Sequence, residues 1–132
     1  MEFKTYDESI LPRMADLVQS CFPLHEISVK TLRRLTLEDP NFLPNDLLVA
    51  SEDGVLKGAV LAARYRRFPE DKLGDKSGYL KFICASPFDT SLLHTLLEKV
   101  EERMRDEGSE RLLYSNFASW HLVPGVDLRY ED

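Results

Sequence analysis

The side chains with the most specific chemistry in this chain are His25, His94, His121, Cys21, Cys84 and a lysine set inside an apolar run, Lys81. The histidines are too scattered to support a zinc site and fit surface or capping roles. His121 beside Trp120 would either line a pocket or pack the tail onto the body of the protein. A cysteine nucleophile would require Cys84 to meet a histidine, yet Cys84 lies in an apolar segment where the thiolate is disfavoured. Both cysteines read as small core hydrophobes. A general base acting on an amine is expected among carboxylates near a cleft. Glu38, Asp39, Glu70 and Asp71 lie on loops or helix ends, and all four read as solvated surface. Arg64, Arg66 and Arg67 form a small basic cluster that would either attract an acidic ligand or a phosphate or, as the commoner case, stand as a solvated strand end guarding an edge.

No side chain therefore announces a reaction, and the informative feature is the arrangement of elements. From Gly78 to Asn116 the sequence reads as an apolar strand, a break at Ser86-Pro87, a long amphipathic helix and a second apolar strand. That order is a right-handed crossover, which builds a parallel strand pair and leaves a ligand crevice at the carboxyl ends of the strands. In the helix, Leu93, Leu96, Leu97, Val100 and Met104 form the apolar stripe; Asp89, Thr90 or Ser91 caps its start and Gly108 its stop. Tyr79 to Ala85 reads as the central strand, interrupted only by Lys81, and Arg111 to Tyr114 as the strand that closes the crossover.

Upstream, Phe3 to Tyr6 reads as an opening strand and Asp7-Glu8-Ser9 as the cap of a helix whose Ile10, Met14, Leu17, Val18 and Cys21 recur at helical spacing. A second helix begins near Ser28 and stops before Pro40, and Asn41 to Asn45 reads as a loop. Leu47 to Ala50 and Val55 to Tyr65 flank Ser51-Glu52-Asp53-Gly54, the signature of a tight antiparallel reversal. The small residues Gly58, Ala59, Ala62 and Ala63 mark the close approach of a crossing helix or of a ligand, the helix being the commoner cause. Phe68 to Ser77 reads as a polar surface loop.

The 132 residues suit one domain spanning 1–132. The 43% hydrophobic and 30% charged residues are those of an ordinary globular protein, and the formal charge of −6 disfavours nucleic acid as a partner. Two cysteines are too few for a disulfide scaffold, which points to a reducing cytoplasm. No signal-like N-terminus and no run of about 20 apolar residues occurs, so no membrane role is expected.

The order strand, two helices, hairpin, strand, helix, strand, with its fourth strand ending in Cys84-Ala85-Ser86-Pro87, resembles the GNAT superfamily of acetyl-CoA-dependent N-acyltransferases. The closing run from Val123 to Tyr130 is similar to the segment after the fifth strand in tandem-domain members. The resemblance implies an α/β fold: a mixed, mostly antiparallel sheet in the order β-α-α-β-β-β-α-β, helices on both faces, and the parallel crossover at its centre. It implies acetyl-CoA as substrate, with its pantetheine arm between the splayed fourth and fifth strands, held by backbone groups around Phe82, Ile83 and Cys84. Asn116 would then face the acyl end, and the hydroxyls of Thr90 and Ser91 would donate to phosphate at the start of the long helix.

The family's phosphate loop, R/Q-x-x-G-x-G/A, has no counterpart. The corresponding run, Pro87-Phe88-Asp89-Thr90-Ser91-Leu92-Leu93, lacks glycine and cation, and Asp89 would set a negative charge beside two phosphates. The family's C-terminal helix and final strand pair also lie beyond Asp132, which implies a C-terminally truncated domain, a fragment, or one completed by a partner chain. Two functions follow from the resemblance. One is transfer of an acetyl group from acetyl-CoA to a primary amine, on a small molecule or a protein. The other is a degenerate, non-catalytic domain that forms a homodimer or pairs with a second catalytic domain. In the first, the fourth strand offers Lys81 where a glutamate would be useful.

Overall fold

A computed structural model of the chain describes residues 1–64 and 77–113. The chain opens with β1 (Glu2–Thr5), followed by a 3-10 turn at Glu8–Ile10, then α1 (Leu11–Cys21) and α2 (Val29–Leu35). After a second 3-10 turn at Pro44–Asp46 come β2 (Leu47–Glu52), β3 (Val55–Ala63), β4 (Ser77–Ala85), α3 (Thr90–Asp106) and β5 (Arg111–Leu113). The sheet runs in the order β1-β2-β3-β4-β5, antiparallel except for β4 and β5, which are parallel.

Local chemistry explains where the elements begin and turn. Asp7 accepts a hydrogen bond from the Ser9 amide, Ser28 from the Thr31 amide and Asp89 from the Leu92 amide, so each satisfies an amide that the first turn leaves without an intrahelical partner. Asp53 and Gly54, at φ of 52° and 80°, make the hairpin reversal between β2 and β3, and Gly108 at φ of 95° stops α3.

Two apolar layers sandwich the sheet. On one face Met14, Leu17, Val18, Leu32 and Leu35 of α1 and α2 pack on Leu47, Val49, Ala59, Leu61, Phe82 and Cys84. On the other, Leu92, Leu96, Val100 and Met104 of α3 pack on Ala50, Val60, Ala62, Leu80 and Ala85. The small residues of β3 are thereby accounted for at Gly58. A methyl group there would lie 3.0 Å from the Cys84 carbonyl oxygen and from Leu92 Cδ2, and 3.1 Å from Leu96 Cδ1. The crossing helix, and not a ligand, requires the missing side chain.

Two expectations need correction. β4 is fourth of the five described strands, not central, and the parallel pair stands at the edge of the described sheet, with β3 in the middle. An apolar run covered on both faces looks the same one strand away from the centre. The stretch Asn41 to Asn45 is largely the exposed loop expected, with Asn41 buried at its start and a 3-10 turn at Pro44–Asp46 closing it on the buried Asp46. The polar loop Phe68 to Ser77 lies outside the described residues except for Ser77, which is buried at the start of β4.

Candidate functional site

The end of β4 is shaped by a break in its own pairing. Leu61 pairs with Phe82 and Ala62 with Leu80, so Lys81 is an extra residue on β4, a β-bulge. The alternation of faces slips there: Leu80 belongs to the α3 side, Phe82 and Cys84 to the α1–α2 side, and Ile83 and Ala85 again to the α3 side. β5 is described in register with β4 only from Ser77↔Arg111 to Tyr79↔Leu113, and β4 runs on six residues past that last pair, to Ala85.

Beside this end of β4 lies a cleft of about 330 Å³, lined by Ile83, Cys84 and Ala85, by the exposed ring of Phe88, and by Leu93, His94 and Leu97 on the flank of α3. Its size falls within the range of about 300–1,000 Å³ typical of small-molecule pockets, at the low end. Its lining among the described residues is apolar apart from His94 and includes no lysine or arginine. On the α1 side of the same strand end is a more polar cleft of about 350 Å³, lined by Arg13, Asp16, Ser20, Gly54, Val55 and Ser86 among others. Arg13 there donates to the Gly54 carbonyl at 3.1 Å. An apolar and a polar cleft thus flank one strand end.

The sequence-derived site residues divide accordingly. Ile83 and Cys84 line the apolar cleft, whereas Phe82 is buried in the α1–α2 core. Thr90 and Ser91 are exposed in the first turn of α3, and the Ser91 carbonyl accepts the Thr95 hydroxyl at 3.0 Å. Asn116 lies outside the described residues. Asp89 is exposed and caps the helix start. Its carboxylate accepts the Leu92 amide at 3.1 Å and so occupies part of the anion-binding capacity of that terminus.

Two ion pairs join residues far apart in sequence. Lys81 is buried on the bulge and forms a hydrogen-bonded ion pair with Asp39, just past α2. Asp39 is therefore not solvated surface: its other oxygen accepts the Asn41 amide at 2.9 Å. Burial pushes the Lys81 ammonium below its ordinary value of 10.5, opposed by the hydrogen bond and charge of Asp39 and by the charge of Asp46. Asp46, fully buried, accepts Arg103 at 2.8 Å and the Leu43 amide at 2.9 Å, and Arg103 also donates to the Ala62 carbonyl at 3.1 Å. A lysine in an otherwise apolar strand was the visible sign that a counter-charge must exist. Its partner, 42 residues away in sequence, was not visible.

Among the described residues no group of three or more histidines, cysteines or carboxylates could hold a metal ion, and no helix is long and apolar enough to cross a membrane.

No protein-family model and no curated protein sequence matches the chain. Solved structures do. An aminoglycoside acetyltransferase from an uncultured soil metagenomic sample, in complex with sisomicin, superposes with a TM-score of 0.63 at 16% identity, over 87% of this chain and 76% of that one. The aminoglycoside acetyltransferase AAC(6')-Iy, in complex with the bisubstrate analogue CoA-S-monomethyl-acetylneamine, gives 0.63 at 15% identity over 89% and 80%. A ribosomal-protein-alanine N-acetyltransferase from Brucella melitensis gives 0.63 at 20% identity over 86% and 73%. At these identities the likeness establishes the fold. The chain has the mixed, mostly antiparallel α/β acyltransferase fold that its sequence pattern resembles.

Proposed function

We propose that the chain is an acyl-CoA-dependent N-acyltransferase domain that uses acetyl-CoA and a primary amine. The observation that carries this reading is the pair of clefts at the end of β4, apolar on the α3 side and polar on the α1 side, in the fold shared with the acetyltransferases above. The complex of AAC(6')-Iy with a CoA-bearing bisubstrate analogue and the sisomicin complex of the metagenomic enzyme support this reading, since in those proteins the fold holds a CoA derivative and an aminoglycoside.

In this chain the thioester arm would lie in the apolar cleft along Ile83, Cys84 and Ala85, and the amine would enter from the side of Asp16 and Ser20. The neutral amine attacks the thioester carbonyl, the C–N bond forms and the C–S bond breaks. The amine loses a proton to water, and the departing thiolate takes one up. The protein's part is orientation, together with backbone N–H donors aimed at the developing oxyanion.

A second reading is favoured by the capped start of α3. In it the domain no longer catalyses and instead pairs with a second copy or with a catalytic domain. Titration calorimetry of the chain with acetyl-CoA, beside free CoA and inorganic phosphate, separates the two. The transferase reading predicts saturable binding below millimolar that phosphate does not reproduce. No binding at millimolar acetyl-CoA would retire it in favour of the pairing role.

A further inference from the structure

Within the transferase reading, on which this inference rests, we propose that the donor is recognised through its acylated pantetheine arm alone, and that its nucleotide diphosphate contributes no affinity. Three independent features converge on this. The cleft is apolar and carries no lysine or arginine among its described lining residues, so it offers an alkyl amide chain contact area and a phosphate no counter-charge. The terminus of α3 that would meet a pyrophosphate already holds the Asp89 carboxylate on its Leu92 amide. An incoming phosphate would compete with that bond for the Leu92 amide and, whatever it gained from Thr90 and Ser91, would face a like charge. Finally, the chain as a whole carries a formal charge of −6, so the long-range field repels a polyanion and is indifferent to a neutral thioester. On the other side of the strand end, Arg13 is directed to the Gly54 carbonyl and shares its cleft with Asp16.

The consequence is a donor class: acyl thioesters of pantetheine, whatever is attached beyond the arm. The balance of the transfer is unchanged, since the thioester sulfur, the acyl carbon and the amine are the only atoms whose bonds change.

The test compares acetyl-CoA with S-acetylpantetheine by calorimetry on the full chain, with 3',5'-ADP as a third ligand. The inference expects the two thioesters to bind within about threefold of each other, less than the tenfold that 1.4 kcal/mol represents, and 3',5'-ADP not to compete. It expects acetyl-CoA, but not S-acetylpantetheine, to bind more weakly as salt is lowered, because repulsion is then less screened. Asp89→Asn keeps a capping side chain and removes the charge. It should tighten acetyl-CoA by about two- to fivefold while leaving S-acetylpantetheine unchanged. Leu97→Glu, in the cleft wall, should weaken both thioesters together.

Acetyl-CoA binding more than about thirtyfold tighter than S-acetylpantetheine, or competition by 3',5'-ADP, would overturn the inference and leave the transferase reading standing. Binding of neither thioester would overturn both. Loss of acetyl-CoA affinity in Asp89→Asn would show that the carboxylate helps to seat the nucleotide end and would likewise overturn the inference.

Discussion

Asp39→Ala is expected to lower the unfolding free energy by about 3–5 kcal/mol, the cost of leaving a buried charge without its partner. Lys81 and Asp39 are both almost fully enclosed, at 3% and 2% side-chain exposure, so water cannot replace the lost carboxylate. The same carboxylate holds the Asn41 amide, which adds a local loss to the electrostatic one. With typical stabilities of about 5–15 kcal/mol, such a variant would be close to unfolded. Lys81→Met combined with Asp39→Ala removes both charges and should recover much of the loss, giving a favourable coupling in a double-mutant cycle.

The pH dependence has a definite sign. The folded chain holds Lys81 below 10.5, whereas the unfolded chain titrates near that value. Between the two the unfolded state binds more protons, so stability rises with pH through that window. Removing Asp39 deepens the depression. The penalty of Asp39→Ala should therefore be largest near neutrality and shrink as pH approaches 10.5. Urea unfolding of the two single variants and the double variant between pH 7 and 10 reads all of this. A loss below about 1 kcal/mol in Asp39→Ala would contradict the burial of the pair.

Arg103→Met is expected to cost about 3 kcal/mol, at the lower end of the range for a broken buried pair because the guanidinium keeps some contact with solvent. Arg103 joins three parts of the fold. It donates to Asp46 before β2 at 2.8 Å and to the Ala62 carbonyl in β3 at 3.1 Å, and it also reaches Glu107 one turn further along α3 at 3.3 Å. Loss of that fork removes the hydrogen-bonded counter-charge of a fully buried carboxylate and loosens the carboxyl-terminal half of α3 on the sheet. Arg103→Lys keeps the charge but not the planar geometry, and should recover only part of the stability. The ranking wild type, lysine, methionine in denaturant midpoint is the expected result. An Arg103→Met variant as stable as wild type would show that Asp46 is satisfied without it.

Much of this architecture was legible in the sequence because short-range chemistry specifies it. Ser28 and Asp89 cap the helices they precede, Asp53-Gly54 turns the hairpin, and the stripe of Leu96, Val100 and Met104 is the buried face of α3. What was not legible depends on contacts far apart in sequence. Asp39 and Asp46 stand near Pro40 and Pro44 in a stretch whose local composition is that of a solvated loop, and only the sheet behind them buries them. Lys81 was visible as an odd residue in β4, but the bulge that turns it toward Asp39 is a slip of register between two strands, which no single strand encodes. The apolar cleft was half legible. Ile83 and Cys84, which line it, were named with Phe82 through the family resemblance as backbone contacts of a pantetheine arm, whereas the contribution of Phe88 and of the α3 flank follows from how the helix seats against the strand end. Gly58 was anticipated as a place of close approach, and the crossing helix supplies the atoms that approach it.

The proposed function requires that the end of β4 receive an acyl thioester. Backbone amide chemical shifts of the labelled chain, recorded during titration with S-acetylpantetheine, test it most directly. Saturable shifts concentrated at Ile83, Cys84 and Ala85 and at Leu93 and Leu97 on α3, with α2 and β1 unmoved, are the predicted result. Shifts absent from this strand end, or confined to another surface, would contradict it.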